Sequence, residues 1–275
     1  MERLQAAIAK ARAERQGLVT PAQIAAPQPT EAEVVDSGVS HAWAALPAFS
    51  PSARTFESGR IMSMTGGRDA PAFDVVRTKV LHQMKTNGWK RLAITSPTAG
   101  CGKSTVALNL GFSLSRQKDR RTILCEADLR RPSMARTLGI KERHSFARVL
   151  TGDGSFAANA LRYGNNFALS ITDQAARNPA ETLHGGAVPD ILDRIEAEYA
   201  PDIMIFDLPP LMVTDDALAF LVHVDCVLLI AAAEMSTVSQ IDSCEREIAS
   251  RSTVMGVVLN KCRYSGPEYG YGYGY

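Results

Sequence analysis

The fold is decided by the ten residues Ser96-Pro97-Thr98-Ala99-Gly100-Cys101-Gly102-Lys103-Ser104-Thr105. An apolar run typical of a strand precedes them, and a helical pattern follows. Glycine lets the backbone curl so that its N–H groups point at phosphate oxygens, and the start of the helix adds a favourable dipole. A lysine charge and a serine hydroxyl suit β/γ-phosphates and Mg²⁺. The stretch therefore predicts a phosphate-binding loop, although Pro97 replaces the first glycine of the strict pattern.

Two further strands are predicted to end in carboxylates. Ile203-Met204-Ile205-Phe206 leads to Asp207 and a Leu-Pro-Pro exit, and Thr122-Ile123-Leu124-Cys125 leads to Glu126 and Asp128. The acid that follows an apolar strand beside a phosphate loop is typical of the Walker B position, which orients Mg²⁺. Alternation along the second strand predicts Glu126 and Asp128 on one side, near the phosphates.

The chain from Lys90 onward alternates strand-like and helix-like segments, which predicts an α/β fold: a mostly parallel central sheet with helices on both faces. In such sheets ligands bind at the carboxyl ends of the strands. The expected strands are Arg91–Thr95, Thr122–Cys125, Phe167–Thr172, Ile203–Phe206, Cys226–Ala231 and Val254–Leu259, and the expected helices include Ser104–Arg116, Ala187–Tyr199 and Val238–Ser250.

Composition excludes several classes of protein. Lys plus Arg (30) nearly balance Asp plus Glu (29), so the basic excess of a nucleic-acid-binding protein is absent. The five cysteines include no Cys-x-x-Cys pair, which argues against structural zinc and disulfides and favours a cytoplasmic protein. The most apolar stretch, Ala217–Ala233, is too short and too polar to span a membrane.

The sequence predicts three regions. Residues 1–69 are expected to be a short N-terminal helix followed by a largely disordered Pro/Ala-rich linker, and residues 70–263 the ordered domain, beginning with an amphipathic helix near Ala70. Residues 264–275 form a tail in which tyrosine and glycine alternate, and we expect it to be flexible. The tail holds five of the seven tyrosines: Tyr264, Tyr269, Tyr271, Tyr273 and Tyr275.

Together, the phosphate loop, the acidic strand of the form apolar-x-Asp-x-Arg, the Asp-x-Pro-Pro strand and the tyrosine-rich tail resemble the bacterial tyrosine kinases (BY-kinases) of capsule and exopolysaccharide synthesis. The resemblance covers about Pro71 to Tyr275. It implies the P-loop NTPase fold and an enzyme that uses ATP and Mg²⁺ to phosphorylate its own tail tyrosines, in trans within a homo-oligomer. It also implies a transmembrane polysaccharide co-polymerase as activating partner, which would recruit the cytoplasmic chain to the inner face of the membrane.

The resemblance also assigns roles to single residues. Lys103 would hold the phosphates, Ser104, Asp128 and Asp207 would organise Mg²⁺, and Glu126 would take the place of the aspartate that helps deprotonate the incoming tyrosine. The nucleotide would contact Asn260, near the adenine, together with the loop residues Ala99, Gly100, Cys101, Gly102, Lys103, Ser104 and Thr105. The five tail tyrosines would be the phosphoacceptors.

This sequence departs from the family pattern at several positions. Glu126 is one methylene longer than the usual aspartate, Cys101 stands where the family usually has Glu, and the oligomerisation element Glu-x-x-Arg-x-x-Arg is reduced to Asp74, Arg77 and Val80. Arg130 and Arg131 remain candidates to contact phosphate or a neighbouring subunit. Two alternatives stay open: a nucleotide-dependent scaffold of the export machinery with little kinase activity, and a cargo-positioning ATPase, against which Thr98 argues because those relatives have lysine there.

Overall fold

The computed structural model describes residues 31–67 and 70–262, with the side chains of residues 31–36 excepted. In these ranges the chain forms a seven-stranded sheet. The strands are β1 Arg91–Thr95, β2 Thr122–Glu126, β3 Leu161–Tyr163, β4 Phe167–Ser170, β5 Ile203–Asp207, β6 Cys226–Ala232 and β7 Thr253–Asn260.

Eleven α-helices lie in the described ranges. They are α1 Glu31–Ala45, α2 Ala53–Ser58, α3 Met62–Thr65, α4 Ala70–Asn87, α5 Lys103–Ser115, α6 Met134–Leu138, α7 Phe146–Leu150, α8 Pro179–Leu183, α9 Val188–Tyr199, α10 Asp216–Phe220 and α11 Val238–Ala249. Two short 3₁₀ helices, Ala157–Asn159 and Leu221–His223, precede β3 and β6.

The sheet has the order β3-β4-β2-β5-β1-β6-β7, and every neighbouring pair is parallel except β3 and β4. β1 therefore lies between β5 and β6, and β5 lies between β1 and β2. Asp207 is in register with Ile94 of β1 on one side and with Glu126 of β2 on the other. The α/β fold expected from the sequence is confirmed, and its three motif-bearing strands end side by side.

Each face of the sheet is covered by helices that bury an apolar cluster. One cluster joins α4, α5 and α6 to the sheet, and the other joins α7, α9, α10 and α11. Four of the five residues of β1 are buried, Arg91 being the exception, and all five residues of β2 and of β5 are buried. Strands covered on both faces read as continuous apolar runs, which explains why these three were predictable from the sequence.

The expectation of a linker up to residue 68 is wrong for residues 31–67, which contain α1, α2 and α3. Trp43 is buried and its indole Nε1 donates to Tyr199 O (2.7 Å). Phe49 N donates to Arg162 O (2.7 Å) and Arg162 N to Pro47 O (2.8 Å), so this segment covers the outer edge of β3. Phe56 packs edge-on against Phe112 of α5. These contacts supply the order that a proline-rich composition conceals.

One strand of the sheet is missing from the expectation. The six expected strands and the helices after β1, before β5 and before β7 are present with boundaries shifted by at most two residues. The antiparallel edge strand β3 is absent from the expectation because three residues carry too little pattern to stand out. The expected helix near the N-terminus, Met1–Gly17, and the tyrosine-rich tail lie outside the described residues.

Candidate active site

The phosphate loop connects β1 to α5 and is held from the side of β5. Leu211 N donates to Ser96 O (2.9 Å) and Met212 N to Pro97 O (3.1 Å), so the chain after the paired prolines supports the start of the loop. Pro97, which replaces the first glycine, takes part through its carbonyl oxygen alone, since proline has no backbone N–H. Gly100 and Gly102 have φ angles of 83° and 94°, a left-handed conformation that favours glycine.

Asn260, at the end of β7, closes the loop from the other side. Its Nδ2 donates to Cys101 O (2.9 Å). A Cβ atom added to Gly102 would lie 2.3 Å from the same Nδ2, so only glycine fits. Asn260 thus lies at the phosphate loop, and its side chain fixes the backbone that is expected to contact phosphate.

Lys103 is the cation at the centre of the site. Its Nζ lies 2.6 Å from Asp128 Oδ2, 3.6 Å from Asp207 Oδ1 and 3.3 Å from Ser104 Oγ. Burial lowers the pKa of Lys103, but the charges of Asp207 and Asp128 raise it more, so the ammonium stays protonated. The structure therefore brings together the lysine, the serine and the two aspartates that the sequence predicts.

Asp207 has the most unusual environment of the four. The residue is fully buried, and neither carboxylate oxygen has a hydrogen-bond partner among the described residues. Burial raises its pKa, although the charge of Lys103 opposes the rise. A buried carboxylate with free oxygens is costly unless a cation is bound beside it. Asp207 and Ser104 fit a magnesium ion, which commonly binds to one or two protein groups and completes its shell with water and phosphate.

Glu126 lies deeper, and its oxygens are already engaged. Oε1 accepts hydrogen bonds from Ser133 N (2.6 Å) and Met134 N (2.8 Å), and Oε2 accepts one from Thr172 N (3.0 Å). Burial raises the pKa of Glu126 to about 7 even though these donors lower it. The expected position beside the phosphates on the same side as Asp128 is therefore not what the contacts show: Asp128 contacts Lys103, while Glu126 joins two loops.

Cys101 is buried inside the phosphate loop, with its Sγ 3.6 Å from Thr98 Oγ1 and 3.7 Å from Ser236 Oγ. Burial raises the pKa of this thiol, but the surrounding hydroxyl and backbone hydrogen bonds lower it further, so the net shift is downward. The residue that stands in the family's glutamate position thus faces the body of the protein. Ala99 and Gly100, in contrast, are exposed at the mouth of the loop.

Two interactions near the site could not be found from local sequence. Arg130 forms a two-pronged ion pair with the fully buried Asp216, which begins α10. Thr172, two residues after the end of β4, donates its backbone N–H to the carboxylate of Glu126. Neither Asp216 nor Thr172 belongs to a recognisable motif. Each lies far along the chain from its partner, and only the folded structure brings the two together. The expectation that Arg130 contacts phosphate or another subunit is replaced by this intramolecular pair.

The reduced oligomerisation element lies on α4. Asp74 accepts hydrogen bonds from Arg77 (2.8 Å), from Ser113 (3.1 Å) and from Arg116. Val80 is buried in the core, where the family pattern places its last arginine. Within the described residues, the charged groups of this element are thus paired inside the chain.

Both the sequence and the fold of this chain are similar to those of known proteins. The family model described as NUBPL iron-transfer P-loop NTPase (ParA) matches residues 89–272. The chain is 28% identical to tyrosine-protein kinase YwqD of Bacillus subtilis over 72% of its own length and 84% of that protein. The kinase domain of the Escherichia coli tyrosine kinase ETK has the same fold, with 26% identity, a TM-score of 0.66 and coverage of 78% of this chain and 84% of that one. The chain belongs to this ParA family of P-loop NTPases, and it is similar to bacterial tyrosine kinases.

Other proteins similar to this chain are much longer. Wzc of Salmonella typhi, a tyrosine-protein kinase, is 28% identical over 66% of the chain, which spans only 25% of that relative. The septum site-determining protein MinD of Pyrococcus horikoshii shares the fold alone, at 18% identity and a TM-score of 0.54 over 65% of this chain and 74% of that one. In the described ranges, no helix combines the length and apolar character that a membrane crossing requires.

Proposed function

We propose that this chain is an ATP-dependent protein-tyrosine kinase whose substrates include the tyrosines of its own tail. One observation supports the proposal most directly. Carboxylate oxygens of Asp128 and Asp207 lie 2.6 Å and 3.6 Å from the Nζ of Lys103. Phosphoryl transfer needs positioning and charge neutralisation more than covalent help from the protein. The similarity of the chain to tyrosine-protein kinases supports tyrosine as the acceptor.

The residues present fit ATP with Mg²⁺. The N–H groups of the phosphate loop from Ala99 to Thr105 would bind phosphate oxygens, and Lys103 would neutralise the β/γ-phosphates. Ser104, Asp128 and Asp207 would hold the ion, which supplies positive charge at the transferred group. Among the described residues no three His, Cys, Asp or Glu side chains form a cage, as expected for an ion that binds mainly to phosphate.

The carboxylate that faces the incoming tyrosine is assigned to Asp128. A free tyrosine has a pKa near ~10, so its proton must be accepted as transfer proceeds. Glu126 has both oxygens engaged by backbone N–H groups away from Lys103. Asp128 faces the site: its Oδ2 accepts a hydrogen bond from Lys103 Nζ (2.6 Å), and its Oδ1 accepts one from Arg131 N (3.1 Å). We therefore propose a catalytic role for Asp128 and a supporting role for Glu126.

The acceptors are proposed to be Tyr264, Tyr269, Tyr271, Tyr273 and Tyr275, reached in trans by a neighbouring copy. The described tyrosines do not suit this role, because Tyr199 is buried and Tyr163 packs against Phe56 and Phe112. Phosphates of about −1.5 to −2 charge each would repel neighbours and favour disassembly. By similarity to its relatives, the kinase would regulate exopolysaccharide polymerisation and export at the inner face of the membrane, where a transmembrane co-polymerase would recruit it.

Labelled ATP tests the proposal. The full chain is expected to incorporate phosphate on tyrosine, and Lys103→Met to lose nearly all of it because the only cation at the centre of the described site is removed. Lys118→Met, in an exposed turn, should leave the rate unchanged. Deletion of residues 264–275 should remove most phosphotyrosine while nucleotide binding persists. Absence of tyrosine label with and without the cytoplasmic segment of a partner would exclude the kinase.

A scaffold that assembles on ATP binding remains a second candidate. The observation that favours it is the engagement of Glu126 by Ser133, Met134 and Thr172, which occupies the carboxylate in the position of the family's base. Sedimentation with and without ATP separates the two functions. ATP-dependent assembly by a chain that lacks the tail and never incorporates label would favour the scaffold.

A further inference from the structure

Arg130, the last residue of the Asp-x-Arg motif, forms an ion pair with Asp216, which belongs to none of the assigned motifs. Arg130 belongs to the loop after β2, and Asp216 begins α10, after the chain that leaves β5. The guanidinium donates through Nε to Asp216 Oδ2 and through a terminal nitrogen to Oδ1 (3.1 Å). Thr214 Oγ1 donates to the same carboxylate (3.0 Å). Asp216 is fully buried, whereas 44% of the Arg130 side chain is exposed.

The loop that holds Asp128 needs such a link because it lies beyond the sheet. β2 ends at Glu126, and the backbone hydrogen bond from Ala127 N to Asp207 O (2.9 Å) is the last that ties this strand to β5. Beyond it, Leu129 O accepts Ala176 N (2.9 Å) from one side. On the other side, Arg130 reaches Asp216. Asp128 is therefore located between two anchors, one of them the Arg130–Asp216 ion pair.

A buried ion pair is weak evidence for stability, because the cost of removing charges from water offsets their attraction. Its better-attested effect is to fix one conformation, and the planar two-pronged geometry of arginine with a carboxylate fixes direction as well as distance. Here the ion pair would fix the conformation of the segment Asp128-Leu129-Arg130, in which Asp128 Oδ2 lies 2.6 Å from Lys103 Nζ.

We propose that Arg130 and Asp216 are positioning residues that hold Asp128 toward Lys103 and the magnesium site. The inference rests on the proposed function for its reaction, since Asp128 is assigned there to Mg²⁺ and the acceptor. It adds a determinant outside the phosphate loop and the Walker B strand: α10 sets the geometry of the loop after β2. Residues that orient a metal ligand from behind typically change metal affinity or activity by about 10–100-fold when removed.

The test uses the full chain with Arg130→Gln, Arg130→Lys and Asp216→Asn. The matched control is Arg251→Gln, which breaks the exposed ion pair of Arg251 with Glu247 (3.0 Å) on α11. Two quantities are measured: the Mg²⁺ concentration that half-saturates binding of a fluorescent ATP analogue, and kcat and KM for tail phosphorylation. Thermal melting reports whether each variant is folded.

Arg130→Gln and Asp216→Asn are expected to raise the half-saturating Mg²⁺ concentration about tenfold and to lower kcat by a similar factor, with KM for ATP within about twofold. Arg130→Lys, which retains the charge but not the two-pronged geometry, should fall between wild type and Arg130→Gln. Arg251→Gln should match wild type. A merely structural pair would lower the melting temperature and leave Mg²⁺ dependence unchanged.

The proposal is overturned if folded Arg130→Gln has the same Mg²⁺ dependence and kcat as Arg251→Gln. If Asp216→Asn does not fold, the partly exposed Arg130 variants decide alone. Failure of the kinase proposal looks different, because a wild-type chain without tyrosine phosphorylation still binds the analogue. In that event the Mg²⁺ dependence of binding supports or overturns the role of Arg130.

Discussion

At the scale of single residues, Asp207 occupies a buried environment that costs stability and suits the proposed magnesium site. Its carboxylate is fully buried and has no hydrogen-bond donor among the described residues, while Lys103 Nζ lies 3.6 Å away. Asp207→Asn removes a buried charge and is expected to melt at or above the wild-type temperature. The same variant should lower tyrosine phosphorylation by at least about 100-fold, because charge at the transferred phosphate is no longer neutralised. Calorimetry and initial rates measure both effects. A variant that melts below wild type and keeps full activity would contradict this account.

Glu126 is expected to make the free energy of unfolding depend on pH. Burial raises its pKa from an ordinary 4.5 to about 7, so in this interval the folded chain binds a proton that the unfolded chain releases. The stabilisation is complete below pH 4.5 and is lost as pH rises through about 7, by up to about 3 kcal/mol. Glu126→Gln should lack this slope, although its amide nitrogen cannot accept from Thr172 N.

Urea titrations at pH 5 and pH 8 provide the measurement. The free energy of unfolding of wild type should fall more than that of Glu126→Gln between these pH values. Glu57→Gln, on the exposed side of α2, serves as the control and should follow wild type. Parallel pH profiles for wild type and Glu126→Gln would show that Glu126 does not titrate in this range.

At the scale of secondary-structure elements, Trp43 is the aromatic residue of α1 that is buried against α9. Its ring is 3% exposed and packs edge-on against Tyr199, and its Nε1 donates to Tyr199 O. Trp43→Ala is expected to reduce the free energy of unfolding by about 3 kcal/mol or more. Trp43→Phe retains the apolar ring and should lose about 1 kcal/mol with the hydrogen bond.

Chemical denaturation of the full chain checks the order of these variants. Val75→Ala, a truncation of a half-exposed side chain on α4, should change stability by no more than about 0.5 kcal/mol. Equal stability of Trp43→Ala and Val75→Ala would mean that α1 contributes nothing to folding.

The sequence predicted buried elements better than peripheral ones, for a physical reason. β1, β2 and β5 are covered on both faces, so each is a continuous apolar run that can be recognised alone. Pro47, Phe49 and Phe56 lie among prolines and small residues, and their apolar partners come from distant parts of the chain. Order in residues 31–67 depends on the finished domain, and local composition carries no record of it.

The same distinction holds for the site. Lys103, Ser104 and Asp207 were predictable because each stands at a fixed offset from a strand end, and parallel topology brings strand ends together. The roles of Glu126 and Asp128 were not separable, because two residues that alternate along an ideal strand diverge once β2 ends at Glu126. Asp216 was invisible, since its partner Arg130 is 86 residues away.

At the scale of the whole molecule, the proposed reaction needs two copies. The structure pairs Asp74 of α4 with Arg77 and Arg116 of the same chain, so assembly must compete with these internal contacts or use other surfaces. Mixing distinguishes transfer between copies from transfer within one. In this experiment two chains are mixed. The Lys103→Met chain keeps its tail and provides the acceptor tyrosines, and the second chain has an intact site but lacks residues 264–275.

Label is expected on the Lys103→Met chain, at a rate that rises with the concentration of the active one. Each chain alone should remain nearly unlabelled. A mixture that stays unlabelled, while wild type labels itself at a rate per molecule independent of dilution, would show that the tail enters the site of its own chain.

The hydrogen bond from Asn260 to Cys101 O has a mechanical consequence. β7 is one of the two edge strands, and its last residue, Asn260, is hydrogen-bonded to the backbone that is expected to bind phosphate. A pull on the chain beyond Cys262 is transmitted along two residues to this hydrogen bond. Tension on the carboxyl end would therefore act through one residue, Asn260, on the phosphate loop and on the pairing of β7 with β6 together.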